Sequence, residues 1–167
     1  MKRSSSNGFT LIEALLYVAL LGLIVGSVST FMVWVLKVNM KVRAMEEVIS
    51  NAERAKDVIV QETRQAVSLY TPTMTSSQLS LESQVNVPLE EVNTFIDFFL
   101  CAQQLCKKTE GQNPIAITAS SVQVSSFQVT EIANESVRIH LVVDYLNPQN
   151  RPEAVAQQDI TFTVTVR

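Results

Sequence analysis

The stretch that decides the fold is Gly8-Phe9-Thr10-Leu11-Ile12-Glu13, together with the apolar run that follows it to Leu36. Glu13 is the only charged residue between Phe9 and Leu36. About 20 apolar residues are enough to cross a bilayer as a helix, so this run predicts a transmembrane helix. A carboxylate inside such a span is costly in lipid, and Glu13 is therefore a candidate functional residue.

The segment from Gly8 to Leu16 resembles the leader and cleavage motif of type IV pilins and of type II secretion pseudopilins. The resemblance implies that a prepilin peptidase cleaves between Gly8 and Phe9 and then methylates the new amine of Phe9. It also implies that Glu13 is the carboxylate required for filament assembly. The implied partners are the prepilin peptidase, other pilin subunits in a homo- or hetero-filament, the lipid bilayer and an inner-membrane assembly platform.

The same resemblance implies a structural subunit of a type IV pilus or of a secretion pseudopilus. Before assembly, such a subunit is a single-pass protein of the cytoplasmic membrane with a cytoplasmic N-terminus. After assembly, it belongs to a cell-surface or periplasmic filament. The competing hypothesis is a membrane-anchored extracytoplasmic binding or adhesion module that does not polymerise.

The leader before the apolar run, Met1 to Asn7, is short, polar and basic. An ordinary secretory signal has its small-residue cleavage site after the apolar region, whereas Gly8 precedes it here. An uncleaved signal anchor is the alternative interpretation. Lys2 and Arg3 favour a cytoplasmic N-terminus. Their removal with the leader would change the formal charge from −3 to −5, which argues against a nucleic-acid-binding body.

Two further features of the apolar run concern helix packing. Gly22 and Gly26 form a small-xxx-small pair that permits close helix approach, although glycines are also common in membrane helices generally. Many major pilins carry a proline within this run, but no proline precedes Pro72 in this chain. The difference favours a minor pilin or a pseudopilin.

Beyond Leu36 the helical periodicity continues. Apolar and small residues recur at spacings near three and four and define one predicted face: Val38, Val42, Met45, Ile49, Ala52, Ile59, Thr63, Ala66 and Tyr70. The charged residues fall mostly elsewhere and are interpreted as a solvated face. We expect one helix from about Phe9 to Leu69, followed by a loop that contains Pro72. A self-associating coiled coil is the alternative, but the Ala and Thr positions favour packing on a sheet.

From Gln78 the apolar period changes toward two, which predicts an antiparallel sheet with one buried face. The expected strands are Gln78 to Leu81, Phe95 to Leu100, Val122 to Val129, Val137 to Tyr145 and Ile160 to Val166. A change of phase near Ser125 and Ser126 predicts a β-bulge. We expect the helix stripe to cover the sheet, giving an α+β fold. The predicted divisions are a leader (1–8), a transmembrane helix (9–36), an amphipathic outer helix (37–70) and an antiparallel β domain (71–167).

The two cysteines, Cys101 and Cys106, are separated by four residues. If a turn from Ala102 to Leu105 joins two strands, the cysteines come within bridging distance. An exported compartment permits disulfides. Two free thiols remain an alternative. Metal or redox chemistry is a weaker one, because no other Cys or His lies nearby and redox pairs usually have C-x-x-C spacing.

Enzyme chemistry has little support in the sequence. His140 is the only histidine, and it alternates with aliphatic residues expected to face inward, so we expect it on the solvated or edge face with Asp144. The sequence lacks a phosphate loop, a paired-carboxylate signature and a nucleophile elbow. We therefore predict a protein that is not an enzyme, with no catalytic residues, no metal site and no cofactor.

Overall fold

The computed structural model describes residues 10–71, 76–85, 87, 92–133 and 136–166. Its elements in chain order are α1 (Leu11–Gln65), β1 (Ala66–Thr71), β2 (Gln78–Ser83), β3 (Thr94–Cys101), β4 (Gln104–Thr109), β5 (Ile115–Ala116), β6 (Val122–Ala133), β7 (Ser136–Tyr145), a 3-10 turn (Pro152–Ala154) and β8 (Gln157–Thr165). The chain divides into two compact units, Met1–Asn39 and Met40–Arg167, and α1 contributes residues to both. One long N-terminal helix followed by antiparallel strands confirms the predicted α+β class.

The described part of the first unit is helical from Leu11 onward. Its large apolar side chains up to Leu36 are exposed, apart from the half-buried Val35. Leu11 is 80% exposed and Leu20 is 49% exposed. A single helix buries little of its own side-chain surface, so the described part of this unit has no core of its own.

The helix ends at Gln65, four residues before the expected end at Leu69. The prediction was wrong for Ala66 and Tyr70, which belong to strand β1. In β1, Ala66 pairs with Ser83 and Leu69 pairs with Leu81 of β2. The β-favouring sequence Val-Ser-Leu-Tyr-Thr and the available partner strand outweigh the helical spacing. Pro72, which was expected to lie in the loop after the helix, is outside the described residues.

The strands form two antiparallel sheets instead of the single sheet that was expected. The five-stranded sheet has the order β1-β2-β3-β4-β5, and the three-stranded sheet has the order β6-β7-β8. The five expected strands are present, and most of them extend beyond the expected bounds. The register between β6 and β7 shifts between Val124 and Ser126, which confirms the predicted bulge. The extra residue allows both Val124 and Phe127 to face the core.

One hydrophobic core joins the second-unit part of α1 to both sheets. The helix contributes mostly small side chains to this core: Ala44, Val48, Ala52, Ala55 and Ile59. The predicted stripe is correct at Ala52, Ile59 and Thr63, which are buried. It is wrong at Val38, Val42, Met45 and Ile49, which are exposed. The small alanines let the strands approach the helix closely, and that close approach selects the buried face.

Asn51 connects α1 to the segment between the two sheets. It is 7% exposed, and its side-chain amide donates to the Glu47 carbonyl oxygen at 2.8 Å. Its Oδ1 accepts from the backbone N–H of Ala119, also at 2.8 Å. A buried polar side chain with both partners in place fixes the position of the segment that it contacts. The apolar pattern of the sequence gave no sign of this contact.

Two acidic residues of the helix that were interpreted as part of a solvated face also contact the rest of the body, although Glu47 itself is exposed as expected. Glu47 accepts a hydrogen bond from the Ser121 hydroxyl at 3.0 Å. Glu62 forms an ion pair with Lys107 of β4, and both side chains are mostly buried. These contacts orient α1 on the sheets, because they are directional whereas the alanine packing is not.

Candidate functional site

The head of the helix holds the one charged residue of the apolar run. The Thr10 carbonyl oxygen accepts from the backbone N–H groups of Glu13 and Ala14, both at 3.1 Å, and the helix begins at Leu11. Glu13 thus lies in the first turn, where free backbone N–H groups and the helix dipole stabilise a carboxylate. This contribution comes from the chain itself and needs no neighbouring subunit. The predicted processing residues Gly8 and Phe9 lie outside the described residues.

The segment that follows is long and apolar enough to cross a membrane, judged by length and composition, and none of its apolar window is buried. Two of its hydroxyl groups bond within the helix: Ser27 donates to the Ile24 carbonyl at 2.8 Å, and Thr30 donates to the Gly26 carbonyl at 2.9 Å. Such satisfied hydroxyls cost little in a lipid environment. Trp34 is 60% exposed near the end of the run, a position that suits a membrane–water interface.

Gly22 and Gly26 have no structural requirement within the isolated chain. A Cβ atom added at either position would meet no heavy atom within 4 Å, and neither residue has a left-handed backbone. Each glycine costs helix stability of about 1 kcal/mol relative to alanine. Any benefit that offsets this cost must therefore come from a molecule that packs against the helix.

A disulfide joins Cys101 and Cys106, with 5.9 Å between their Cα atoms. The bridge was the favoured prediction, and the free-thiol alternative is excluded in this structure. The turn is shorter than expected, because only Ala102 and Gln103 lie between β3 and β4. Both have positive φ angles, 48° and 64°, as a two-residue hairpin turn demands. Leu105 is fully buried within β4 instead of lying in the turn.

The disulfide hairpin also contacts the second sheet. The Gln103 carbonyl oxygen accepts from the backbone N–H of Val124 at 2.7 Å. The Gln104 side chain donates to the Thr118 carbonyl at 2.8 Å, and the Thr118 hydroxyl accepts from the Leu105 N–H at 3.1 Å. The bridge therefore stabilises a hairpin that connects the two sheets, and its surroundings are structural.

His140 lies on the solvated face of β7, as the alternation predicted. Its Nε2 is 2.8 Å from Oδ1 of Asp159 on the neighbouring strand β8. Both side chains are substantially exposed, so the pair is a surface contact that contributes little to stability. Asp144 follows two alternations later on the same strand. Among the described residues, no group of three or more His, Cys, Asp or Glu side chains is placed to hold a metal ion.

Comparison with known proteins bears on the helix head and the apolar run. Residues 3–29 match the family described as the prokaryotic N-terminal methylation motif. No curated protein matches the sequence. Among solved structures, a type IV-like pilin from Thermus thermophilus is similar, with a TM-score of 0.45 and 10% sequence identity over 71% of this chain and 95% of that chain.

The matched region contains the candidate processing residues Gly8 and Phe9, the carboxylate Glu13 and most of the apolar run. In the structure, this run forms a long exposed helix, and the chain continues into antiparallel β-sheets. The chain therefore carries the prokaryotic N-terminal methylation motif over residues 3–29, which include the first part of α1.

Proposed function

We propose that this protein is a subunit of a type IV pilus or of a secretion pseudopilus, and that it acts by assembly and not as an enzyme. The observation that carries the proposal is the uncovered helix from Leu11 to Leu36, with Glu13 as its only charge, inside the matched methylation motif. An apolar surface of this size must be covered by lipid or protein. In our proposal it is covered first by the cytoplasmic membrane and then by neighbouring subunits in the filament.

Processing prepares the chain for assembly. A prepilin peptidase cleaves between Gly8 and Phe9 and methylates the amine of Phe9. The new N-terminus is a cation, and it lies a few residues before Glu13 in the sequence. Cleavage therefore supplies the positive partner for an acidic residue that would otherwise be unpaired in an apolar environment.

Assembly then pairs Glu13 of one subunit with the Phe9 amine of a neighbour. The favourable charge interaction is largely offset by desolvation, so the pair contributes mainly to axial register. Removing one partner of a buried pair costs about 3–5 kcal/mol, because the other charge then stays buried alone. The packing free energy comes from the apolar helices, which an inner-membrane assembly platform would bring together.

A second apolar surface extends this contact into the second unit. Val42, Met45 and Ile49 are 48%, 39% and 41% exposed and follow one another at helical spacing. At 3.6 residues per turn, they lie roughly a quarter of a turn away from the buried alanine face. These residues stay exposed in the described body, and in the proposed filament they pack against a neighbouring subunit.

The decisive experiment compares Glu13→Ala and Glu13→Gln with the wild type in membrane and sheared-filament fractions. Both variants should reach the membrane at wild-type levels or above, because the buried charge is removed. Both should be depleted from filaments, because the neighbouring amine loses its charged partner. Glu53→Gln, an exposed charge on the same helix, is the matched control and should assemble normally. Wild-type filament levels for both Glu13 variants would refute the role of this carboxylate.

Processing has its own test in the intact mass of protein from cells that contain the peptidase. Gly8→Val should leave the chain inserted in the membrane but uncut, because the added side chain obstructs close approach to the peptidase. Gly22→Val is the control and should lose the first eight residues normally. Efficient cleavage of the Gly8 variant would contradict the proposed site. A chain that is neither cleaved nor found in filaments would support a non-polymerising membrane-anchored adhesion module.

A further inference from the structure

A groove of about 270 Å³ lies in the second unit, between the first helical turn of that unit and the loop after β7. Its lining includes Met40, Arg43, Tyr145, Leu146, Pro148 and Arg151. Two of the residues that line the groove are arginines and none is acidic. The groove thus combines an apolar surface with an unbalanced positive charge.

The loop that forms one wall is held in place by its own hydrogen bonds. The Asn147 side chain donates to the Arg151 carbonyl oxygen at 2.8 Å and accepts from the Arg151 N–H at 3.1 Å. The Leu146 N–H donates to the Ser121 carbonyl oxygen at 2.9 Å, which anchors the loop to the segment before β6. The backbone of Arg151 is therefore positioned, while its side chain is exposed.

Acidic residues lie near Arg43 in the sequence, since Glu46 and Glu47 follow it by three and four residues, but neither forms an ion pair with it. Glu47, one helical turn after Arg43, instead accepts a hydrogen bond from Ser121. Glu153 follows Arg151 by two residues. Within the residues that the structure describes, neither guanidinium group takes part in an ion pair or a hydrogen bond. Unpaired guanidinium groups beside an apolar surface suit a ligand that has a phosphate and an apolar part.

The sequence position of the groove narrows the identity of that ligand. Arg43 follows Leu36, the end of the apolar run, by seven residues, and the segment 37–43 carries three basic residues and no acidic residue. Basic residues normally concentrate on the cytoplasmic side of a membrane span. In the proposed orientation this segment lies on the opposite side, among the outer headgroups, where its charges need a different role.

We propose that this groove binds the headgroup phosphate of an anionic lipid in the outer leaflet of the cytoplasmic membrane. Arg43 and Arg151 bind the phosphate, and Met40, Leu146 and Pro148 contact the glycerol and the first carbons of the acyl chains. The contact holds the β-body against the membrane in the state before assembly. The inference deepens the proposed function, because it rests on a membrane-anchored subunit, but it does not require that the subunit polymerise.

The test is native mass spectrometry of the full-length chain in detergent micelles with added lipid. Phosphatidylglycerol should remain bound, whereas phosphatidylcholine, whose headgroup has no net charge, should bind much more weakly. The double variant Arg43→Gln/Arg151→Gln should weaken phosphatidylglycerol binding roughly thirtyfold, as expected for the loss of two basic contacts. The matched control Arg54→Gln/Arg138→Gln removes two exposed charges elsewhere in the second unit and should bind as the wild type does.

Three results would overturn the proposal. Equal losses of phosphatidylglycerol binding in both double variants would show that binding depends only on the net charge of the protein. Displacement of the lipid by an equal concentration of inorganic phosphate would make free phosphate the ligand. Equal binding of the two lipids by the wild type would leave an acidic segment of another protein as the better candidate. Lipid selectivity in a chain that fails to assemble would preserve this inference while the filament function failed.

Discussion

The helix up to Asn39 and the body from Met40 onward use apolar residues in opposite ways. In the first region the large apolar side chains are exposed, and Leu20 remains 49% exposed. In the second region Phe98 and Leu141 are fully buried. The difference shows that the body completes its own core, whereas the apolar surface of the first region must be covered by another molecule.

The comparison predicts that truncating a core side chain affects the body far more than truncating a side chain of the apolar run. Phe98→Ala should lower the free energy of unfolding of the body by about 3–5 kcal/mol, because it leaves a cavity in the core. Leu20→Ala is the control, and the change should be within about 0.5 kcal/mol. Denaturant unfolding of the full chain in detergent, followed by the circular dichroism of the sheets, measures both. Equal losses would mean that the two regions unfold as one cooperative unit.

Removal of the disulfide should cause the next largest loss of stability. Replacing Cys101 and Cys106 with alanine should lower the free energy of unfolding by about 2 kcal/mol, since a short loop restricts the unfolded chain only modestly. Reduced wild-type protein is the control, because it loses the bridge and keeps its side-chain volume. Its free energy of unfolding should match that of the double variant if the bridge accounts for the whole effect. Peptide mapping under non-reducing conditions should first show the bridge. Two alkylatable thiols in exported protein would contradict it.

Asn51 tests whether a polar contact within the core matters as much as apolar packing. Asn51→Ala should cost about 1–2 kcal/mol, because the backbone N–H of Ala119 loses a buried acceptor. Asn39→Ala makes the same change at an exposed helix position and should stabilise the helix by a few tenths of a kcal/mol. Thermal unfolding of the two variants measures the change in stability that each substitution causes. A neutral Asn51 variant would mean that water replaces the lost acceptor.

The smallest expected effect is the difference in coupling free energy between two ion pairs of α1, one mostly buried and one exposed. A double-mutant cycle on Glu62 and Lys107 should give a coupling free energy of about 1 kcal/mol, because both side chains are mostly buried. The exposed pair of Glu53 and Lys56 should give a smaller coupling, because solvent screens it. When the cycles are measured in low and in high salt, the added salt should reduce the coupling of the exposed pair more than that of the mostly buried pair. Equal couplings would show that burial by the sheet does not strengthen the pair.

The amino-acid sequence by itself determined the features that depend on composition and local period. The run to Leu36, in which Glu13 is the only charge, predicted a long apolar helix, because about 20 mainly apolar residues in succession are typical of a membrane-spanning helix. The alternation in β7, which is interrupted at Val142, predicted a strand with one mainly buried face, and the phase change near Ser125 predicted a bulge. The motif around Gly8 and Glu13 identified the candidate site, although the outcome at Gly8 and Phe9 remains a prediction.

Only the tertiary structure decided which face of the outer helix is buried and where that helix ends. The sequence offers two stripes at helical spacing, and periodicity favours the one with the larger side chains, Val42 and Met45. The fold buries the smaller alanines instead, because close contact with two sheets depends on the shape of the partner surface. The helix ends at Gln65 for a related reason, since β1 gains a partner strand that lies more than ten residues further along the chain. Local sequence contains no information about either partner, and such contacts exist only once the chain has folded.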